Sequence, residues 1–171
     1  MSKYDEIMKL IKEHNCTNVY FDLDGVLADF SKALSDIMLG SGYENIEMNN
    51  ESKYLSGIAL EAKKYMWNKV EGADDFYEKL DLMEEGYEIF KKIKKDYPVK
   101  ILSAVPKGFP EKATEQKIKW CKKYLGDVDV ITVSIQDKND VVDVSRAILI
   151  DDREKNISKW NIAGGIGYLY K

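Results

Sequence analysis

Three carboxylates fall within eight residues of the stretch FDLDGVLADF, positions 21–30, directly after the apolar residues Val19, Tyr20 and Phe21. Burying a charge without a partner is costly, so either a cation meets these acids or they perform chemistry. Alternate residues of an extended segment project to one side. Asp22 and Asp24, separated by Leu23, therefore face one small volume, and Gly25 lets the backbone turn sharply away. A second acidic pair, Asp151 and Asp152, ends the apolar run of ILIDD. Carboxylates gathered in this number repel one another unless a cation binds, and oxygen ligands without His or Cys suit Mg²⁺. The single histidine, His14, falls on an N-terminal helix as a surface residue, which excludes histidine triads and zinc hydrolysis. What remains is a carboxylate nucleophile. One carboxylate can attack a phosphorus neutralised by metal while a second protonates the leaving oxygen and then activates water, and the pair Asp22 and Asp24 has the geometry for that division of labour. Phosphoryl transfer also needs donors and cations around the phosphate oxygens. Ser103, the backbone donors after it and a lysine from a neighbouring loop fit that need.

These residues need elements to position them. NVYFDLD, VKILSAVP, VDVITVSI, RAILIDD and IGYLY read as strands. Residues 3–14, MEEGYEIFKKIKKDY stopped by Pro98, and PEKATEQKIKWCKKYLG opening on Pro110 and ending at Gly126 read as helices. Strands alternating with helices predict an α/β fold: a three-layer, doubly wound parallel sheet whose ligands bind at the carboxyl ends of the strands. Asp22 and Asp24, Ser103, and Asp151 with Asp152 all sit at such ends. The region between positions 31 and 80 differs, with scattered apolar residues, a polar stretch at 42–52 and aromatics in YMWNKVEGADDFYEKL. It reads as a small helical cap inserted after the first strand. The predicted division is a core of residues 1–31 and 81–171 and a cap of residues 32–80, with Gly40, Gly42 and Gly57 as points of motion.

The chain of 171 residues carries a net charge of −4, with 44% hydrophobic and 33% charged residues, enough for a real core and against general affinity for nucleic acid. KKIKKD at 91–96 reads as a solvated helix face. Cys16 and Cys121 have no metal-ligand spacing and read as reduced core thiols. No apolar stretch reaches the length of a membrane span, and the N-terminus lacks the apolar core of a signal peptide, so the expected location is cytoplasmic, without a membrane partner.

DLDGV, a serine ending ILS, a downstream lysine and IDD, in that order, resemble the four motifs of the haloacid dehalogenase (HAD) superfamily. FDLDGVLADF, FYEKLDLMEEGYEIFKKI, EKATEQKIKWCKKYLG, ILIDDRE and WNIAGGIGYLY resemble the 5'(3')-deoxyribonucleotidases and their bacterial and phage relatives, over most of residues 19–170 and least between 35 and 70. The resemblance implies a Rossmann-like core and a Mg²⁺-dependent hydrolase of nucleoside monophosphates, with Asp22 as nucleophile and Asp24 as acid/base. It implies that Mg²⁺ is held by the Asp22 side chain, the Asp24 carbonyl and Asp152, with Asp151 in support, and that Ser103 grips the phosphate. Lys117 and Lys138 both match family lysines that reach the phosphate; Lys138 is the expected partner of the nucleophile. Phe30, Phe76 and Tyr77 match positions that enclose the nucleobase, and Trp67 is a further candidate; Trp120 reads as core. The family often forms dimers, so a homodimer is expected.

Two departures stand out. The family often has Thr-Ser-Pro where this chain has SAVP, so Ala104, at a phosphate-binding position, lacks a hydroxyl. The segment from Lys138 to Asp151 is also a few residues longer than in animal members. Rival readings are the same machinery acting on a sugar phosphate or a polynucleotide end, and a non-catalytic binding protein that kept the fold. Asp29 and Arg153 fit structural ion pairing as well as a functional role.

Overall fold

The computed structural model describes residues 1–46 and 57–171. Five strands form one sheet: β1 (Asn18–Phe21), β2 (Val99–Ala104), β3 (Asp129–Val133), β4 (Ala147–Asp151) and β5 (Ile166–Leu169). Their order is β3-β2-β1-β4-β5, and every pairing is parallel. Six helices accompany them: α1 (Lys3–Glu13), α2 (Phe30–Met38), α3 (Gly57–Gly72), α4 (Glu84–Lys94), α5 (Pro110–Tyr124) and α6 (Glu154–Ile162). A single 3₁₀ turn spans Lys138–Asp140. The α/β class and the doubly wound parallel sheet are as the sequence predicts. The predicted strand NVYFDLD is shorter in the structure, ending at Phe21, because the backbone turns out of the ladder once the acids begin.

Successive strand residues alternate between two buried layers. Phe21, Ile101 and Ile148 pack with Ile7, Phe90 and Trp120 on the side of α1, α4 and α5. Tyr20, Leu102 and Leu149 pack with Ile157 and Trp160 of α6 on the other. Each large side chain removed from water in this way contributes about 1.5–3 kcal/mol. Between β1 and β2 the chain forms α2 and α3, which share a satellite cluster of Met38, Ala62 and Met66. Asp29 caps α2, its carboxylate accepting from the Lys32 amide at 3.0 Å. The polar stretch read as a loop at 42–52 lies outside the described residues from position 47 onward.

From β1 the chain moves to β2 and β3 and then crosses back to β4 and β5, so the strand order reverses between β1 and β4. That crevice is where an open α/β sheet holds its ligand. Among the described residues no helix is long and apolar enough to cross a membrane.

Candidate active site

The register decides which residues meet. Phe21 of β1 pairs with Ile150 of β4, so Asp22 and Asp151 leave adjacent strands side by side. The Asp22 amide extends the ladder by one bond, donating to Ile150 O at 2.9 Å. On the other flank Phe21 pairs with Ile101 of β2, which brings Ser103 to the same rim.

The turn after Asp22 is tightly wound: Leu27 and Ala28 both donate to Leu23 O at 2.9 Å, and Gly25 donates to Ala28 O at 2.9 Å. Gly25 has φ +81°, and a Cβ there would lie 2.1 Å from Asp152 Oδ2. The turn is pinned from below, since a Cβ on Gly86 of α4 would lie 1.9 Å from Val26 O.

Two buried lysines divide the acids between them. Lys138 Nζ lies 2.8 Å from Asp22 Oδ1 and 2.6 Å from Asp151 Oδ2. Burial opposes its charge, but the carboxylates of Asp22 and Asp151 prevail and its pKa is raised. Asp151 is fully buried and also accepts from the Arg153 amide at 2.8 Å and from Asn156 Nδ2 at 2.9 Å. Burial, and then the charge of Asp22, push its pKa up against the pull of Lys138. Lys117, also fully buried, reaches Asp24 Oδ2 at 2.7 Å, Ser103 Oγ at 2.8 Å and Ala104 O at 2.8 Å. Those three acceptors use all three ammonium hydrogens. Asp24 Oδ1 is buried and has no hydrogen-bond partner among the described residues. Removing one partner of a buried ion pair costs about 3–5 kcal/mol, so these pairs hold geometry tightly.

Asp22, Asp151 and Asp152 can each bring an oxygen within 4.8 Å of the others. Burial, followed by the charges of Asp22 and Asp151, drives the Asp152 carboxyl up to about 7. That strain is what a hard divalent cation relieves, and an all-oxygen donor set fits magnesium.

The aromatic candidates also converge. Phe30 stacks on Tyr77, with centroids 6.1 Å apart and planes 4° from parallel, and Phe76 meets Tyr77 edge-on at 5.1 Å. Trp67 tilts against Phe30 at 6.5 Å. Phe76 and Tyr77 are buried among these rings, while Phe30 is half-buried. The ring of Tyr77 also lies under Lys117, with Nζ 4.8 Å from its centroid. Trp120 is core, donating its indole N–H to Leu80 O at 2.8 Å. Of the backbone donors after Ser103, the Val105 amide is bonded to Val133 O at 2.8 Å. Ala104 is exposed and offers its carbonyl to Lys117.

Sequence reading missed Asn156 and Gln116. Gln116 Oε1 accepts from the Tyr77 amide at 2.8 Å, tying α5 to the aromatic cluster. Its neighbour Lys117 was a candidate, yet nothing in the sequence pairs Gln116 with position 77. Asn156, five residues after Asp151 in the first turn of α6, had a readable signal in that spacing.

In overall fold the chain is similar to an HAD family enzyme from Bacteroides thetaiotaomicron solved with magnesium and inorganic phosphate (18% identity, TM-score 0.52, covering 91% of this chain and 94% of that one). It is also similar to an HAD family hydrolase from Deinococcus radiodurans R1 with bound phosphate and sodium (11% identity, TM-score 0.57, covering 90% and 80%). A chain of the Pnkp1/Rnl/Hen1 complex matches at 16% identity and TM-score 0.50; the match covers 91% of this chain but 46% of that one, so this chain spans about half its length. A search of the curated proteins gives no match. A family model described as "5' nucleotidase, deoxy (Pyrimidine), cytosolic type C protein" matches residues 15–169. The chain has the fold of those HAD family enzymes, and by the family model it belongs to that family of 5' nucleotidases and is a phosphatase.

Proposed function

We propose that this enzyme is a Mg²⁺-dependent phosphatase of nucleoside monophosphates, 5'- or 3'-deoxyribonucleotides in particular, working through an aspartyl-phosphate. The observation that carries the reading is the division of the acids between two buried lysines: Lys138 on Asp22 and Lys117 on Asp24. One carboxylate is thereby fixed as a nucleophile, and the other keeps one oxygen unpaired for a proton.

In this mechanism Asp22 forms a bond to phosphorus as the bond to the leaving oxygen breaks, and Asp24 gives its proton to that oxygen. Asp24 then takes a proton from water, whose oxygen attacks the phosphorus. The Asp22–phosphorus bond breaks, and inorganic phosphate and the free carboxylate are restored. The Ser103 hydroxyl donates to a phosphate oxygen, and Lys117, bonded to Ser103 and to the Ala104 carbonyl, positions that hydroxyl and adds positive charge beside the phosphate. Asp22, Asp152 and the Asp24 carbonyl, supported by Asp151, would hold Mg²⁺, which supplies positive charge to the phosphoryl oxygens. Residues 32–80 serve as the cap that limits water, and Phe30, Phe76 and Tyr77 form the wall met by the base.

The test is phosphate release from a panel of 5'- and 3'-ribo- and deoxyribonucleotides and sugar phosphates, with Mg²⁺ and with chelator. Metal-dependent release concentrated on deoxynucleotides supports the reading. Equal release from sugar phosphates removes the substrate assignment, and release unaffected by chelator removes the metal.

A further inference from the structure

Among the described residues six polar or charged side chains are buried: Asp22, Ser103, Lys117, Lys138, Asp151 and Gln116. The first five meet at the rim, where each has a part in holding or performing the chemistry. Gln116 is the exception. Burying an amide is costly unless it is hydrogen-bonded, and Gln116 Oε1 spends its burial on one group, the Tyr77 amide at 2.8 Å.

That amide belongs to a backbone with little support of its own. Phe76 and Tyr77 lie in residues 73–80, which form neither helix nor strand. The stretch borrows its partners from α5. Lys112, Gln116 and Trp120 are four residues apart and so share one face of the helix. Lys112 donates to Glu71 O at 2.7 Å, Gln116 accepts from the Tyr77 amide, and Trp120 donates to Leu80 O at 2.8 Å. Of the three, Gln116 bonds a residue of the aromatic cluster.

The next residue along the helix serves the other end of the site. Lys117 reaches Ser103 Oγ at 2.8 Å and Asp24 Oδ2 at 2.7 Å, and its Nζ lies 4.8 Å from the centroid of the Tyr77 ring. A helix fixes the rise between neighbours at about 1.5 Å. Two adjacent residues of α5 therefore tie the phosphate end of the site and the backbone of Tyr77 to one rigid spacer.

We propose that Gln116 is a positioning residue for substrate choice: by holding the Tyr77 amide it sets the aromatic wall at the height where a base joined to the bound phosphate meets it. This role rests on Phe76 and Tyr77 being the wall met by the base. Without the acceptor, the Tyr77 amide is left buried and unpaired, and its backbone shifts to find another partner. The rings move with it, while Ser103 and the aspartates stay on their strands. Discrimination by the base should therefore fall before the chemistry does.

The test compares kcat/KM for a deoxynucleoside 5'-monophosphate with that for deoxyribose 5-phosphate, which lacks the base. In the full chain, Gln116→Met, which keeps the length and removes the acceptor, should lower the ratio of the two about tenfold, more through the nucleotide KM than through kcat. Gln116→Glu restores an acceptor and should bring the ratio back toward wild type, since its added charge acts on both substrates through their common phosphate. In hydrogen exchange the Tyr77 amide should lose protection in Gln116→Met and keep it in Gln116→Glu. Should Gln116→Met not fold, Gln116→Asn, one methylene short of the Tyr77 amide, carries the same expectation. Phe76→Leu distinguishes the wall from its support. A ratio lowered by Phe76→Leu but kept by Gln116→Met overturns the role of Gln116 and leaves the wall. A ratio changed by neither, or a wild type without preference for the nucleotide, overturns the wall and the role of Gln116 with it. Equal losses on both substrates in Gln116→Met, or no recovery in Gln116→Glu, also overturn the role.

Discussion

The rim of the sheet and the aromatic cluster beneath α2 adjoin, yet opposite forces hold them. At the rim, Asp22, Asp24 and Asp151 are fixed by two buried lysines at 2.6–2.8 Å, on strands whose register leaves little freedom. In the cluster, Phe30, Phe76, Tyr77 and Trp67 meet as rings at 5.1–6.5 Å, with no charge among them. Ion pairs in a dry site specify single atoms; ring packing specifies a volume. Reaction chemistry should therefore depend steeply on the rim, and substrate choice more gradually on the cluster. Lys117 touches both, bonded to Asp24 and lying over Tyr77.

The largest expected effect is at the rim. Asp22→Asn should reduce turnover by roughly 10⁴-fold or more on every substrate while the melting temperature stays near wild type. A residual rate within about tenfold of wild type would remove Asp22 as nucleophile.

Next is Lys117→Met, which leaves Asp24 and Ser103 without their cation. It should cost about 3–5 kcal/mol of stability, read by denaturant unfolding, together with a fall in kcat. A fall in activity alone, without loss of stability, would mean that the pair is not buried as described.

The pH response follows from Asp152. Without metal its carboxyl keeps a proton up to about 7, whereas the unfolded chain releases it near 3.8, so the folded state binds more protons across that window. Its contribution to stability therefore falls as pH rises from about 4 to about 7. Magnesium should remove that loss, and its affinity should rise with pH over the upper part of the window. Thermal melts with magnesium and with chelator, at matched pH, check both signs.

The smallest effect belongs to the cluster. Phe30→Leu should change the ranking of nucleotides by about tenfold or less and leave hydrolysis of a minimal phosphomonoester nearly unchanged. An equal loss on both would move Phe30 from the substrate wall to the rim.

The same contrast explains what could be read in the sequence. Apolar runs that end in Asp22, Ser103 and Asp151 announce strands and a shared edge, because few other arrangements tolerate acids after buried strands. Lys117 was harder. On α5 it sits among four other lysines and looks solvated, and its burial is created by Asp24, 93 positions earlier. The aromatic pairings were out of reach for a related reason. Phe30 and Tyr77 are joined by how α2 returns toward the core, which local periodicity does not encode. Lys138 was legible as a candidate, but its double contact with Asp22 and Asp151 depends on the crossing from β3 to β4.

Gly25 has a consequence for anyone mapping tolerance to substitution. Its Cα is where the backbone turns and also the wall against which Asp152 rests, with 2.1 Å left for any added carbon. In a saturation library, position 25 should score as intolerant as Asp22 and Asp24, although it contributes no reactive atom. A screen that equates intolerance with chemistry would count one catalytic residue too many, and the surplus would be the residue with no side chain.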